Sequence, residues 1–181
     1  ATGAVLSSCG SDEQEAPNVQ TNKRVRWTLV SSYPRSLDTI FGFAELMAER
    51  VKQLTDGRFE IEVYPAGELV PGGAVFDAVR QGSAEIGHTA AYYYVGVRPS
   101  FAFETSVPFG LNARQQTAWF SFGGGRELMN GILDDFGIMT LQGGNTGQQM
   151  GGWFRREINS LADLQGLDMR IPCLGGKIMK R

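Results

Sequence analysis

Residues 25–90 read VRWTLVSSYPRSLDTIFGFAELMAERVKQLTDGRFEIEVYPAGELVPGGAVFDAVRQGSAEIGHTA, and this stretch decides the fold. Val25 to Ser31 is β-branched and apolar, the signature of a strand. Leu37, Ile40, Phe41, Ala44, Met47, Ala48, Val51 and Leu54 then recur at three- and four-residue spacing, which predicts a helix over 38–55. Ser36 is its expected N-cap, Asp38 suits the positive helix start, and Gly57 suits the position just past its end. Arg58 to Tyr64 alternates, with Phe59, Ile61 and Val63 on one face and Glu60 and Glu62 on the other. A Gly/Pro loop leads to a short helix over 74–81 and a third strand over 84–90. Strand, helix, strand, helix, strand predicts a parallel α/β sheet. Ligands of such sheets bind beyond the carboxyl ends of the strands. Those ends are Ser31-Ser32-Tyr33, Tyr64 to Gly67, and His88 to Ala91.

Further along, residues 101–108 are aromatic and read as extended. A helix capped by Asn112 is expected over 112–122 and another over 125–136, with Gly123-Gly124-Gly125 between them as a lobe boundary. Strands are expected at 138–142, 149–154 and 168–172. A capped turn of helix follows Ser160, whose partner three residues on is Asp163. A last helix is expected to open at Gly175, and its amides would favour an anion. The chain stops six residues into that helix, so we read it as a fragment of a longer protein.

Composition limits the function classes. The formal net charge is −2 and 20% of residues are charged, with no basic face of the kind a nucleic-acid binder needs. No run of about 18 apolar residues is present. With 42% hydrophobic residues in 181, the chain has the means to build a core. Leu6-Ser7-Ser8-Cys9 resembles a bacterial lipobox, in which Cys9 is lipidated, and the polar stretch 10–22 reads as a flexible tether. Cys173 would then be a free thiol. One His, His88, and two Cys make neither a zinc cluster nor a triad by pattern. Nor does the chain carry a nucleophile elbow or P-loop, so it is not read as an enzyme.

Two polar residues between Gly143 and Gly176 are candidate anchors. Arg170 lies among Leu167, Met169 and Ile171, where a guanidinium can hold a carboxylate through two parallel hydrogen bonds. On spacing alone, an ion pair with Asp168 or a surface position is the commoner fate. Gln149 offers an amide oxygen to a cation and an amide N–H to a carbonyl; an exposed strand residue is again commoner. Asn145 is a cleft candidate inside NTG, equally a turn signal. Tyr93 and Tyr94 alternate in direction, so at most one faces a cleft, and Tyr33 has the right topology. A lone His such as His88 is more often structural.

The segments EVYPAGELVPGGAVFDAVRQGSAEIGHTAAYYY (62–94), VPFGLNARQQ (107–116) and GGNTGQQMGGWFRREINSLADLQGLDMRIPCLGGKIMK (143–180) together resemble the extracytoplasmic solute-binding subunits of TRAP (tripartite ATP-independent periplasmic) transporters. The resemblance runs from Arg26 to the end, and NTG-x-Q-M-GGWFR points to the 2-oxo acid binders. It implies a two-lobed, periplasmic-binding-protein-like α/β fold without catalytic activity, about twice this length. Residues 1–22 would be signal remnant and tether, 23–122 lobe I, and 123–181 an incomplete lobe II. It gives Arg170, in Met169-Arg170-Ile171-Pro172, the substrate carboxylate. Gln149 falls to a shared substrate and cation site, the cation being Na+ or a divalent ion; no cofactor is implied. Cys173 departs from the small residue usual there. The implied partners are a small organic acid, the TRAP membrane subunits, the membrane itself through Cys9, and a second copy of the full-length protein. The implied place is the periplasm. A receptor of an ATP-driven importer, or a fragment of a small-molecule enzyme, is the alternative.

Overall fold

A computed structural model describes residues 23–171 and 173–179. Three parallel strands form one sheet in the order β2-β1-β3, with β1 (Val25–Ser31) in the middle, β2 (Phe59–Tyr64) and β3 (Ile86–His88) outside. The register aligns Val25 with Phe59 through Val30 with Tyr64, and Leu29 with Ile86 through Ser31 with His88. All three strands therefore end on the same edge. Only the second half of β1, Leu29 to Ser31, is buried, so the interior gathers towards that edge. The third strand is shorter than expected. The Glu85 carboxylate accepts the Thr28 N–H at 2.7 Å, so a side chain takes the place of a ladder bond before β3 begins.

Helix α1 (Asp38–Leu54) joins β1 to β2 and buries Phe41, Ala44 and Ala48, one face at helical spacing. Burying a side chain such as Phe41 contributes about 1.5–3 kcal/mol. Ser36 does not cap it. Leu37 holds the N-cap position, and Asp38 accepts the Thr39 N–H at 2.7 Å. The helix ends through Asp56 and Gly57, both at positive φ, with the Gly57 N–H on the Lys52 carbonyl. A 3-10 turn (Gly72–Ala74) and α2 (Val75–Arg80) join β2 to β3.

Residues 101–105 are helical rather than extended, and Ser106 after them has extended backbone. A 3-10 turn over Pro99–Phe101 runs into α3 (Ala102–Thr105), because Phe101 and Ala102 both turn inward and no strand stands beside them to pair. The Gln116 amide donates to the carbonyls of Phe103 (3.1 Å) and Glu104 (3.0 Å), which closes the helix end. Helix α4 (Ala113–Phe122) starts on the expected cap: Asn112 and Gln115 exchange side chain-to-backbone bonds of 3.0 Å each way. Helix α5 (Gly125–Leu133) follows and continues as a 3-10 turn to Phe136. Gly125 lies so close to the Trp119 indole that a Cβ there would approach within 2.5 Å. Met129 and Leu133 pack with Phe76, Tyr94, Phe101 and Phe120 in one core that Phe136 and Ile138 border. The triple glycine is thus a tight turn between two helices sharing a core with the sheet's own crossover.

The strands expected at 138–142 and 149–154 are absent, and residues 168–171 are also unpaired. A strand needs a neighbour for its backbone groups, and among the described residues no further strand lies on β2 or β3. Side chains hold the first of these segments instead. The Thr140 N–H donates to Asn130 Oδ1 at 2.6 Å and its hydroxyl donates to the Glu104 carboxylate. The last helix, α6 (Cys173–Met179), begins before Gly175, so the Gly-Gly pair lies inside it. Those glycines face Ile171; a Cβ on Gly175 would come within 2.9 Å of its Cδ1. Pro172 and Cys9 lie outside the described residues.

Candidate functional site

At the carboxyl edge of the sheet, a chain of hydroxyls runs beneath the surface. Ser32 Oγ donates to the Gly72 carbonyl at 2.6 Å and meets Thr89 Oγ1 at 2.6 Å. Thr89 Oγ1 meets the Tyr94 hydroxyl at 3.1 Å, and that oxygen accepts the Phe76 N–H at 3.3 Å. Each hydroxyl has one proton, so the direction is set: Phe76 to Tyr94, Tyr94 to Thr89, Thr89 to Ser32, Ser32 to Gly72. The chain ties the ends of β1 and β3 to the start of α2. Gly72 must lack a side chain here, since a Cβ would come 2.8 Å from the Ser32 carbonyl oxygen.

Above this chain stands an aromatic group. Tyr33 meets His88 edge-on, with centroids 5.1 Å apart, and Tyr93 at 6.5 Å. Phe43 of α1 is 6.0 Å from the His88 ring, and Tyr92 is 4.7 Å from Tyr93. Burial first, then the neighbouring Tyr93 and Tyr92, pushes the Tyr33 hydroxyl well above the usual phenol range, so it stays a neutral donor. Burial also lowers the His88 pKa, which favours the uncharged ring. Its Nδ1 lies 3.1 Å from Ser31 Oγ, a fully buried hydroxyl that also accepts the Tyr33 N–H at 3.1 Å. Gly143 lies against the outer edge of this group; a Cβ there would come 2.8 Å from Phe43 Cε1.

The expected site residues fall into three places. Tyr33 and Tyr93 come together at the sheet edge. Tyr94 turns away, buried in the core with its hydroxyl committed to Thr89 and Phe76. Asn145, Gln149 and Arg170 lie on exposed chain outside the sheet. Asn145 Oδ1 accepts the Gly147 N–H at 2.8 Å, a local turn. Gln149 Nε2 donates to Thr146 Oγ1 at 3.3 Å, and its amide oxygen has no hydrogen-bond partner among the described residues. Arg170 has no ion pair or hydrogen bond among the described residues, Asp168 included. The two anchor segments lie side by side at one point: a Cβ on Gly152 would come within 2.9 Å of the Met169 methyl. A broad depression lined by Phe154 to Ile158 belongs to a single loop and gathers no polar groups from other elements.

Sequence reasoning named Ser31, His88 and Thr89 only as strand ends, with His88 more often structural, and passed over Phe43 and the Ser31–His88 contact. His88 and Thr89 stand at a strand end, which was the available signal; Phe43 gave none, because its helical spacing sits one step off the buried face.

A family model for bacterial extracellular solute-binding proteins, family 7 (DctP), matches residues 30–181. The chain belongs to the DctP family. It is 54% identical over 157 residues to the monocarboxylate 2-oxoacid-binding periplasmic protein of Nostoc sp., covering 87% of this chain and 43% of that protein. It superposes on a TRAP transporter solute binding protein from Bordetella bronchiseptica with a TM-score of 0.85 at 46% identity, covering 88% of this chain and 47% of that one. That structure is a mixed-occupancy dimer with copurified calcium and picolinate in one active site and an apo site. A TRAP periplasmic solute binding protein from Colwellia psychrerythraea, with bound calcium and pyruvate, gives a TM-score of 0.83 at 43% identity over 87% of this chain and 48% of that one. Its counterpart from Pseudoalteromonas atlantica carries sodium and pyruvate, with a TM-score of 0.82 at 44% identity and the same coverage. This DctP-family chain thus spans under half the length of these relatives, and its parallel α/β architecture is theirs.

A cation beside the ligand in such relatives raises the question of donors here. Calcium takes about six to eight oxygen ligands. The free amide oxygen of Gln149 fits as one of them, while no group of three His, Cys, Asp or Glu gathers among the described residues.

Proposed function

We propose that the chain serves in the solute-binding subunit of a TRAP-type secondary transporter, capturing a small 2-oxo carboxylate in the periplasm and passing it to membrane subunits. What carries the reading is the 43–46% identity to solute-binding structures holding pyruvate or picolinate beside a metal ion. The chain's own geometry adds support. Arg170 is an exposed cation without a partner among the described residues, held on a segment that touches the Gln149 segment through Gly152 and Met169. Arg170 takes the carboxylate and Gln149 supplies an oxygen to the cation, with Asn145 beside it. The bound cation offsets the charge of the acid. From the sheet edge, the neutral hydroxyl of Tyr33 and the hydroxyl of Tyr93 face the same ligand. Tyr94, placed by sequence among the ligand-binding residues, acts instead through the hydroxyl chain that holds that edge.

We place the boundary between lobes after Ile138, since the core that begins at Phe76 reaches that far. Closure of the lobes brings the Arg170 segment onto the tyrosines and presents the loaded protein to its membrane partners. Cys9 is the proposed lipid attachment point, and mass spectrometry of protein from its native membrane should find it acylated; an unmodified Cys9 removes the anchor.

The decisive experiment is calorimetric titration of the whole protein with pyruvate, in calcium and in sodium buffers. Truncating one partner of a charge-assisted hydrogen bond in a closed cleft costs about 2–5 kcal/mol, so Arg170→Ala should weaken binding by at least about tenfold. Arg170→Lys should weaken it too, because an ammonium cannot make the paired bonds. Unchanged affinity in Arg170→Ala would remove Arg170 from the site. A wild-type protein that binds no 2-oxo acid would remove the substrate class.

A further inference from the structure

We propose that His88 is a ligand-contacting specificity residue, whose Nε2–H, fixed in place by Ser31, donates a hydrogen bond to an oxygen of the bound acid. This rests on the 2-oxo acid reading above. The ring stands at the carboxyl end of β3, beside the end of the central strand, where open parallel sheets bind their ligands. Its orientation is held from three directions: Ser31 Oγ at Nδ1, Tyr33 edge-on at 5.1 Å, and Phe43 at 6.0 Å.

The proton's position follows from Ser31. That hydroxyl is fully buried and already accepts the Tyr33 N–H. Were Nδ1 also a donor to it, the hydroxyl proton would have no acceptor among the described residues, and an unmatched buried donor is costly. So the hydroxyl donates to Nδ1, and the neutral ring carries its proton on Nε2. No polar atom of the described residues reaches Nε2. The residue is only part-buried. Aromatic walls with one directed polar group are what a small-ligand site requires. A neutral donor adds direction without a second positive charge, leaving charge recognition to Arg170. An acid without an oxygen at the right place would leave the N–H unmatched, which is how such a donor discriminates.

The test compares two substitutions in the whole protein by calorimetry with pyruvate in calcium buffer. An asparagine amide reaches about as far as Nδ1 and loses the outer donor; a glutamine amide reaches about as far as Nε2. His88→Asn should weaken pyruvate binding by at least about tenfold, and His88→Gln should stay within about threefold of wild type. Equal affinity of His88→Asn and wild type overturns the proposal, as does an equal loss in both variants. In 15N-histidine-labelled protein, the signal missing from His88→Asn identifies the ring. It should report the Nε2–H tautomer, and its Nε2 resonance should move on adding pyruvate; an Nδ1–H tautomer, or an unmoved resonance, overturns the proposal by itself. If wild type binds no pyruvate at all, the 2-oxo acid reading fails and His88 falls with it. If wild type binds and His88→Asn binds equally, His88 alone fails.

Discussion

Between Lys23 and Ile138 each strand has a neighbour and each helix a buried face; between Met139 and Met179 no strand is paired among the described residues, and Trp153 stands 89% exposed. The two regions do not differ in apolar content as much as in what lies within reach. Met139, Leu141, Met150 and Trp153 are as apolar as Phe41 or Phe101, yet find nothing among the described residues to bury against. An apolar side chain stabilises a fold only through the surface it covers. The comparison can be broken by substitution. Phe101 is fully buried among Phe76 and Phe136, with centroids 5.6 and 5.7 Å away. In urea denaturation of this chain, Phe101→Ala should cost about 3–5 kcal/mol. Trp153→Ala should stay within about 0.5 kcal/mol. Similar losses from both would mean that the second region is as well packed as the first.

The same contrast explains what could be read in advance. The first strand, α1, β2 and α2 were legible because each carries its own period and its partners follow in sequence. The Asn112 cap was legible because a capping box is local. The strands at 138–142 and 149–154, and residues 168–171 of the one expected at 168–172, were misread because an apolar segment states only a preference, and a neighbouring strand must turn it into a ladder. Residues 101–105 were misread for a related reason: Phe101 and Ala102 are drawn into a core that holds Phe76 and Met129, which no local window contains. Tyr33 and Tyr93 were singled out from strand ends and do stand together there, whereas Tyr94 was assigned to the ligand although the 3-10 turn over Ala91–Tyr94 aims it at the core. The roles proposed for Gln149 and Arg170 came from family motifs, because exposed polar residues carry no periodic signal.

The seam between the regions gives an effect of intermediate size. Glu104 is partly buried, burial raises its pKa, and the hydroxyl of Thr140 partly offsets this by donating to it. A carboxyl whose pKa is raised on folding binds more protons in the folded than in the unfolded state. Its contribution to stability is therefore full below the unfolded value, about 4.3, and is lost as pH rises through the folded value. Glu104→Gln keeps an acceptor for Thr140 and removes the charge. Its melting temperature should match wild type near pH 4 and exceed it increasingly as pH rises, reaching a plateau above the folded value. A lower melting temperature for Glu104→Gln at pH 8 would show that the carboxylate is stabilised there as an anion, and that the seam is an ionic one.

The smallest effect separates two caps of similar sequence. Asn112 starts α4, ten residues long, which buries Gln116 and Phe120; Ser160 starts a single exposed turn, Leu161–Leu164. Asn112→Ala should cost about 1 kcal/mol, because the lost bond unseats a helix that the core depends on. Ser160→Ala should leave the melting curve unmoved, because its turn fills no core. Its consequence is electrostatic. The Asp163 carboxylate accepts the Ser160 hydroxyl at 2.9 Å and the N–H groups of Ser160 and Asn159 at 2.8 and 3.0 Å, and these bonds hold its pKa down, the hydroxyl most of all. Removing the hydroxyl should raise the Asp163 midpoint in an NMR titration while the two backbone bonds keep it below the ordinary carboxyl range. A midpoint that stays put would mean the backbone amides alone set it. A melting curve that falls with Ser160→Ala would mean the turn is coupled to the rest of the protein, and the contrast between the two regions would narrow accordingly.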